Sequence, residues 1–412
     1  MCRYLLIILT VFFSSFPCGA AAPGKEEKIV ENVPYICQQG WLDCGYASNA
    51  MLIGHFLKNY DTLTYSKLIY ESALGYGFIY SPDSLVTLPF TGFLVLDETF
   101  NWLASLYGLS FQRTPPPEGL NAGDAWKEYL DRIWNSLQKG IPLQTFRSWT
   151  TREAPDGRMY TDDGLRPFWW EGVSGGHRPD KHSLVVVGLD RANGLIYITS
   201  PGCGWFGAGK YEAMTLAKFR QITEPLYPRV RYATRSFAPN GSPEVPEQQK
   251  KELVRLRIAK KIAGDPEVYD KIDKPCIYGL KGIEALRNDL EPDKFSGILK
   301  AKAQKEKMEP KETVAYFNMA FYQYAYDTRI TSSYLETAGD VEGYAKAAAL
   351  HIIYEKLCVL NNRLLAVFKA EPDFDKAMER SGPVLEEMRK TLSELEASFG
   401  EYLTPPTPAP LS

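Results

Sequence analysis

Two short apolar runs constrain the fold of this chain more than anything else in it. Residues 183–189 read Ser-Leu-Val-Val-Val-Gly-Leu and residues 195–199 read Leu-Ile-Tyr-Ile-Thr, separated by a stretch holding Asp190, Asn193 and Gly194. β-Branched and aromatic residues fit a pleated surface, and a turn-rich separator between two such runs predicts a β-hairpin. Upstream, helices are expected at 44–60, 96–106 and 125–138, followed by a short strand at 141–146. In the first helix, Ala47, Met51, Phe56 and Leu57 fall roughly on one face. Helices followed by strands, rather than alternating with them, predict an α+β fold with helices packed on an antiparallel sheet. The stretch 149–181, rich in Gly, Pro, Asp and Trp, reads as a loop long enough to be functional.

Beyond this unit the pattern changes. Pro239, Gly241, Pro243 and Pro246 mark a linker over 237–250. Helical periodicity then dominates at 251–263, 279–290, 312–338, 341–368 and 373–399. The expected organisation is an α+β unit at 30–236, an all-helical unit at 251–400 and a proline-rich tail at 403–412, which has no means of building a core. A charged fraction of 24% with a net charge of −3 offers no general electrostatic attraction to nucleic acid or to an anionic membrane surface.

The N-terminus reads as an export signal. Arg3 precedes an apolar run at 4–13, too short to span a bilayer, and Ala20, Ala21 and Ala22 supply the small residues that signal peptidase requires. Residues 1–21 are therefore expected to be removed, giving a periplasmic or secreted protein. Cys18 raises a lipid-anchor reading, but Ser15, Phe16 and Pro17 are a poor approach to a lipid-modified cysteine. Removal leaves five cysteines, Cys37, Cys44, Cys203, Cys276 and Cys358. In an oxidising compartment an odd count leaves at least one thiol free. There is no CxxC and no helical HxxxH pair, so neither a metal nor an organic cofactor is implied.

Cys44 is the candidate nucleophile because it opens the first helix, where unpaired N–H groups and the macrodipole favour a thiolate. Gly45 keeps that turn uncrowded. Six positions earlier, Gln38 has an amide suited to stabilising an oxyanion together with the Cys44 N–H. The base comes from one of four histidines. His55 shares the Cys44 helix three turns away, and His351 lies in the distal helical region. His182, at the head of a buried strand, is held more rigidly than His177 in its glycine-rich loop. A small structural hydrophobe at 44 and a satisfied core histidine at 182 are the competing readings.

The segment from Gln38 through Asp43-Cys44-Gly45-Tyr46-Ala47, together with His182-Ser-Leu-Val-Val-Val-Gly188, resembles papain-like cysteine peptidases. The likeness extends to the double-glycine leader peptidases and, more finely, to the acyltransferases of the butirosin-biosynthesis protein H family. The 71–80 stretch, ending Leu74-Gly-Tyr-Gly-Phe-Ile-Tyr80, is similar to the latter's glycine-aromatic loop, and 279–290 to its C-terminal helical region. The resemblance covers about 33–236 and 272–370. The separation of Cys44 and His182, 138 positions, lies in the ~130–150 range of papain-like enzymes. It implies a papain-like N-terminal domain and a third catalytic position, usually Asp or Asn, that falls here on Ser200. Asp190 lies too far along the strand to replace it, whereas Asp162 or Asp163 in the long loop remains open as a substitute. The fold it implies also brings Cys37 near Cys203, suggesting a disulfide there and a Cys276–Cys358 pair in the helical region.

Three functions follow. The first is thioester chemistry at Cys44 on a peptide, amide or thioester substrate, with hydrolysis preferred over amine acyl transfer because the expected export separates the protein from cytoplasmic carrier thioesters. The second is a peptide-binding pseudoenzyme, motivated by the uncharged Ser200. The third is a partner-binding role of the helical region.

Overall fold

A computed structural model describes residues 26–37, 44–57, 60, 64–82, 86–87, 97–148, 151–153, 159–161, 181–201, 210–224, 226, 231–270, 275–306 and 315–403. The expected export signal, Gln38, Asp162, Asp163, His177, Cys203 and the proline-rich tail lie outside them.

In chain order the N-terminal half comprises β1 (Glu27–Ile29), α1 (Cys44–Phe56), α2 (Thr64–Glu71), β2 (Ile79–Ser81), β3 (Val86–Thr87), α3 (Asp97–Leu106), β4 (Leu109–Thr114), α4 (Ala122–Gln138), β5 (Leu143–Ser148), β6 (Thr151–Glu153), β7 (Met159–Thr161), β8 (Lys181–Asp190), β9 (Leu195–Thr199), β10 (Glu212–Thr215), α5 (Leu216–Thr223) and β11 (Thr234–Pro239). The C-terminal half adds α6 (Glu247–Ala263), β12 (Ile277–Tyr278), α7 (Gly279–Asp289), α8 (Pro292–Glu306), α9 (Ala315–Thr337), α10 (Val341–Ala370) and α11 (Phe374–Leu403). The protein is α+β, with an antiparallel sheet in the order β10-β9-β8-β5-β11-β4 and β1 pairing beside β5 on β8. Its C-terminal half is helical.

The hairpin at 190–194 joins β8 to β9, and Asp190 organises the turn by accepting from the Asn193 backbone N–H at 3.0 Å and side-chain amide at 2.6 Å. A bulge between Val186 and Gly188 bends β8. Gly188 is required there: a Cβ would lie 2.9 Å from the Tyr197 ring and 3.1 Å from Lys28 O. In α4, Asn121 caps the N-terminus by accepting from Asp124 N, and Ala125, Tyr129, Ile133 and Leu137 form one buried stripe at four-residue spacing.

α1 departs from the one-faced helix expected of it. Nine consecutive residues, Tyr46 to Gly54, are buried, because sheet strands and α2 surround the helix. It also stops at Phe56 rather than at 60. Gly54 is closely packed, since a Cβ there would lie 2.5 Å from the Tyr60 ring and 2.8 Å from Pro34 Cγ.

The linker expected at 237–250 is shorter than its prolines suggested. Phe237 is fully buried in β11, where it pairs with Phe111, and α6 already begins at Glu247. Pro239 marks the strand end, and Pro246 sits just before the helix. The halves also share one continuous apolar core. The glycine-aromatic stretch is where they meet: Phe78 stacks on Tyr324 at 5.6 Å, the Ile79 N–H donates to Tyr324 Oη at 3.1 Å, and Tyr80 Oη donates to Asp289 Oδ2 at 2.6 Å. Gly75 permits this approach, since a Cβ would come within 2.7 Å of Thr328 Cγ2. Among the described residues no helix is long and apolar enough to cross a membrane.

Candidate active site

Cys44 is a half-buried thiol, outside any disulfide, at the first position of α1. The carbonyl that follows it, Gly45 O, accepts from Asn49 Nδ2 at 2.6 Å within the helix and from Gln144 Nε2 of β5 at 3.2 Å. The same Gln144 Nε2 lies 3.2 Å from Ser183 Oγ, the neighbour of His182 on β8. One amide thus reaches the residue after the candidate nucleophile and the residue after the candidate base.

His182 is 1% exposed, and its Nε2 lies 3.1 Å from Ser200 Oγ. Ser200 directly follows β9, so the β8–β9 hairpin brings the two together across 18 positions of chain. Burial, and then the Arg147 guanidinium beside it, hold the imidazole well below its ordinary range. Arg147 is the direct cross-strand partner of His182 in the β5–β8 register, which sets the two side chains side by side on one sheet face.

Two further histidines, His55 and His351, make contacts away from this pair. His55 Nε2 is 3.0 Å from Gly140 O, and His351 pairs with Ala325 O at 2.9 Å and Glu355 at 3.4 Å. Asp190 is engaged in its turn, as its distance along the strand implied. Among the described residues no group of three or more His, Cys, Asp or Glu side chains could hold a metal ion. No protein-family model matches the chain, and no curated protein matches it.

The disulfide expectations divide. Cys37 is disulfide-bonded; its partner lies outside the described residues, as does Cys203. Cys276 and Cys358 are not disulfide-bonded, which corrects the pairing implied for them. Cys276 immediately precedes β12 and packs against the Ile79, Val268 and Tyr269 cluster, whereas Cys358 packs on the main core from α10, so the two belong to different apolar clusters.

Several residues escaped the sequence reading. Arg235 of β11 donates to Gln144 Oε1 at 3.3 Å, lies 3.7 Å from Asp97, and is flanked by the Phe100 and Phe146 rings at 5.8 and 5.4 Å. Desolvation pushes its pKa down to about 10, against the pull of Asp97. Tyr211, with φ of 51°, donates its hydroxyl to Val30 O at 3.0 Å and accepts from Val33 N at 3.1 Å. Its own N–H reaches Thr199 Oγ1 at 3.3 Å. The end of β9, just before Ser200, is thereby tied to the Val30–Val33 segment. The available signal was the appearance of Gln144 and Arg147 on either side of Phe146 in a short strand.

The depressed His182 pKa has a measurable consequence. The native state binds fewer protons there than the unfolded chain, whose imidazole titrates near ~6.5. The contribution to stability is therefore full above that pH and is lost as pH falls below it. Urea denaturation at pH 7 and pH 5 is expected to show a larger loss for the wild type than for His182→Ala. Equal losses would mean that His182 is protonated in the native state.

Proposed function

We propose that this chain is an exported cysteine acyl-transfer enzyme with a papain-like N-terminal region, working through a thioester at Cys44. The carrying observation is a buried His182 whose Nε2 lies 3.1 Å from Ser200 Oγ, on a strand whose neighbouring residue shares an amide donor with the N-terminus of the Cys44 helix. For Nδ1 to take up a proton, the ring must carry its hydrogen on Nε2 and donate it to Ser200 Oγ. A serine oxygen accepts that bond without adding charge, so it orients the ring more than it raises its basicity.

The chemistry follows in balanced steps. The Cys44 thiol proton passes to His182 as sulfur attacks the substrate carbonyl. The resulting oxyanion is met by the Cys44 N–H and the Gln38 amide. Collapse breaks the C–N bond, with the amine leaving as it takes the proton from His182, and a thioester remains. Water, activated by the same imidazole, then releases the acid and restores the thiol. An amine in place of water gives acyl transfer by the same route, as in the butirosin-biosynthesis protein H family. Peptide or amide hydrolysis is the preferred reading.

Labelling of the mature protein with an electrophilic thiol probe tests this. Cys44 is expected to react much faster than Cys276 and Cys358, and His182→Ala to slow it. Burial pushes the Cys358 thiol up to about 12, so it supplies an internal unreactive reference. A Cys44 as inert as Cys358 would instead support a binding module without turnover.

A further inference from the structure

From β5, the Gln144 side chain reaches both halves of the proposed site. Its Nε2 carries two hydrogens, and two acceptors stand 3.2 Å away, Gly45 O and Ser183 Oγ. Its Oε1 accepts from Arg235 Nη1 at 3.3 Å. That third contact settles which way the amide points, because a flipped amide would set one carbonyl oxygen against another and an N–H against a guanidinium. Arg235 is itself confined by Asp97 and by the Phe100 and Phe146 rings. Gln144 is fully buried, so water has no ready access to take its place.

We propose that Gln144 is a positioning residue that holds Cys44 and His182 at the separation needed for proton transfer. The inference rests on the Cys44–His182 reading above. The apolar packing between α1 and β8 excludes water but by itself tolerates small slides. Two hydrogen bonds from one planar group do not tolerate them: moving the helix relative to the strand lengthens one bond or bends the other. Because Gly45 follows Cys44 and Ser183 follows His182, the bridge acts on the two backbones that carry the reacting side chains. A misplacement of about 1 Å at such a pair is enough to cost ~10²-fold in rate. Arg235 acts one step further out, by fixing the amide.

A double-mutant cycle reads this directly. The rate of Cys44 alkylation by iodoacetamide at pH 7 is measured in the full-length mature protein and in Gln144→Met, His182→Ala and the double variant. Met keeps the length and apolar bulk while removing both donors. Gln144→Met is expected to slow alkylation about tenfold when His182 is present and to have no effect when it is absent. An equal slowing in both backgrounds marks Gln144 as merely structural and overturns the inference, as does no slowing at all. If His182→Ala by itself leaves the rate unchanged, the Cys44–His182 reading fails first, a distinct outcome from failure at Gln144. Should Gln144→Met not fold, Ser183→Ala removes one bond at little steric cost. It is expected to give a several-fold, His182-dependent slowing that Ser183→Thr reverses, and unchanged alkylation in Ser183→Ala overturns the proposal.

Discussion

Cys44→Ala is expected to abolish turnover, lowering kcat by ~10⁴–10⁶ while leaving the fold intact. The thiol is half-buried at a helix terminus, so its loss opens little space and adds no buried polar group. His182→Ala should be nearly as damaging, because nucleophile and base act as a unit and the remaining partner alone supplies little. Ser200→Ala is the graded member of the series. It removes one hydrogen bond to a ring that stays confined by burial, and a loss of about tenfold in kcat with little change in KM is expected. Steady-state kinetics on a peptide or amide substrate found by library screening gives all three values. Retained turnover in Cys44→Ala would remove the central claim. A Ser200→Ala variant as dead as His182→Ala would mean that the hydroxyl does chemistry beyond orienting the ring.

Asp270→Ala is expected to have the largest effect on stability, about 3–5 kcal/mol. Its buried carboxylate accepts from Glu98 N at 3.0 Å, Thr99 N at 3.1 Å and Thr99 Oγ1 at 2.7 Å, and so caps α3 from outside the helix. It is also the anion facing Arg257 and Lys261, both buried cations. Removing it leaves three donors and two cations without this partner in a place that water does not reach. Against a typical total of ~5–15 kcal/mol, that brings the protein close to unfolding at ambient temperature. Burial pushes Lys261 down to about 7, so the native state sheds this proton before the unfolded chain does. The penalty for its burial therefore falls as pH rises above about 7, and the deficit of Asp270→Ala should shrink between pH 7 and pH 9. Urea unfolding at both pH values measures it, and a deficit below about 1 kcal/mol at pH 7 would mean that the cap is not formed.

Both expectations depend on contacts of different legibility. The β8–β9 hairpin was readable because its signal is local: two apolar runs, a separator holding Asp190, Asn193 and Gly194, and no competing pattern. Helical periodicity likewise placed most of the C-terminal helices within a few residues. The reading failed where a tertiary partner outweighed local composition. Phe237 stands among prolines and a glycine and looked like linker, yet it is paired with Phe111 and buried. β4 and α2 were passed over for the same reason, being short elements whose stability comes from neighbours rather than propensity.

At the site, the sequence by itself singled out residue types with the right chemistry at separations a chain can close: a cysteine opening a helix, a histidine opening a buried strand, and Ser200 returning beside it through a hairpin. Chemistry of this kind is a property of the side chain and its local backbone, so it survives in one dimension. Only the tertiary structure decided how these parts are held. The Gln144 amide is 99 positions from Gly45 and 91 from Arg235, and Asp270 is 171 from Thr99. No local pattern encodes such pairings, because they exist only when the sheet has registered and the helices have packed on it. Burial sets most of the rest, since desolvation is the largest cause of the shifted histidine, lysine and arginine found here, with neighbouring cations adding to it at His182 and Lys261.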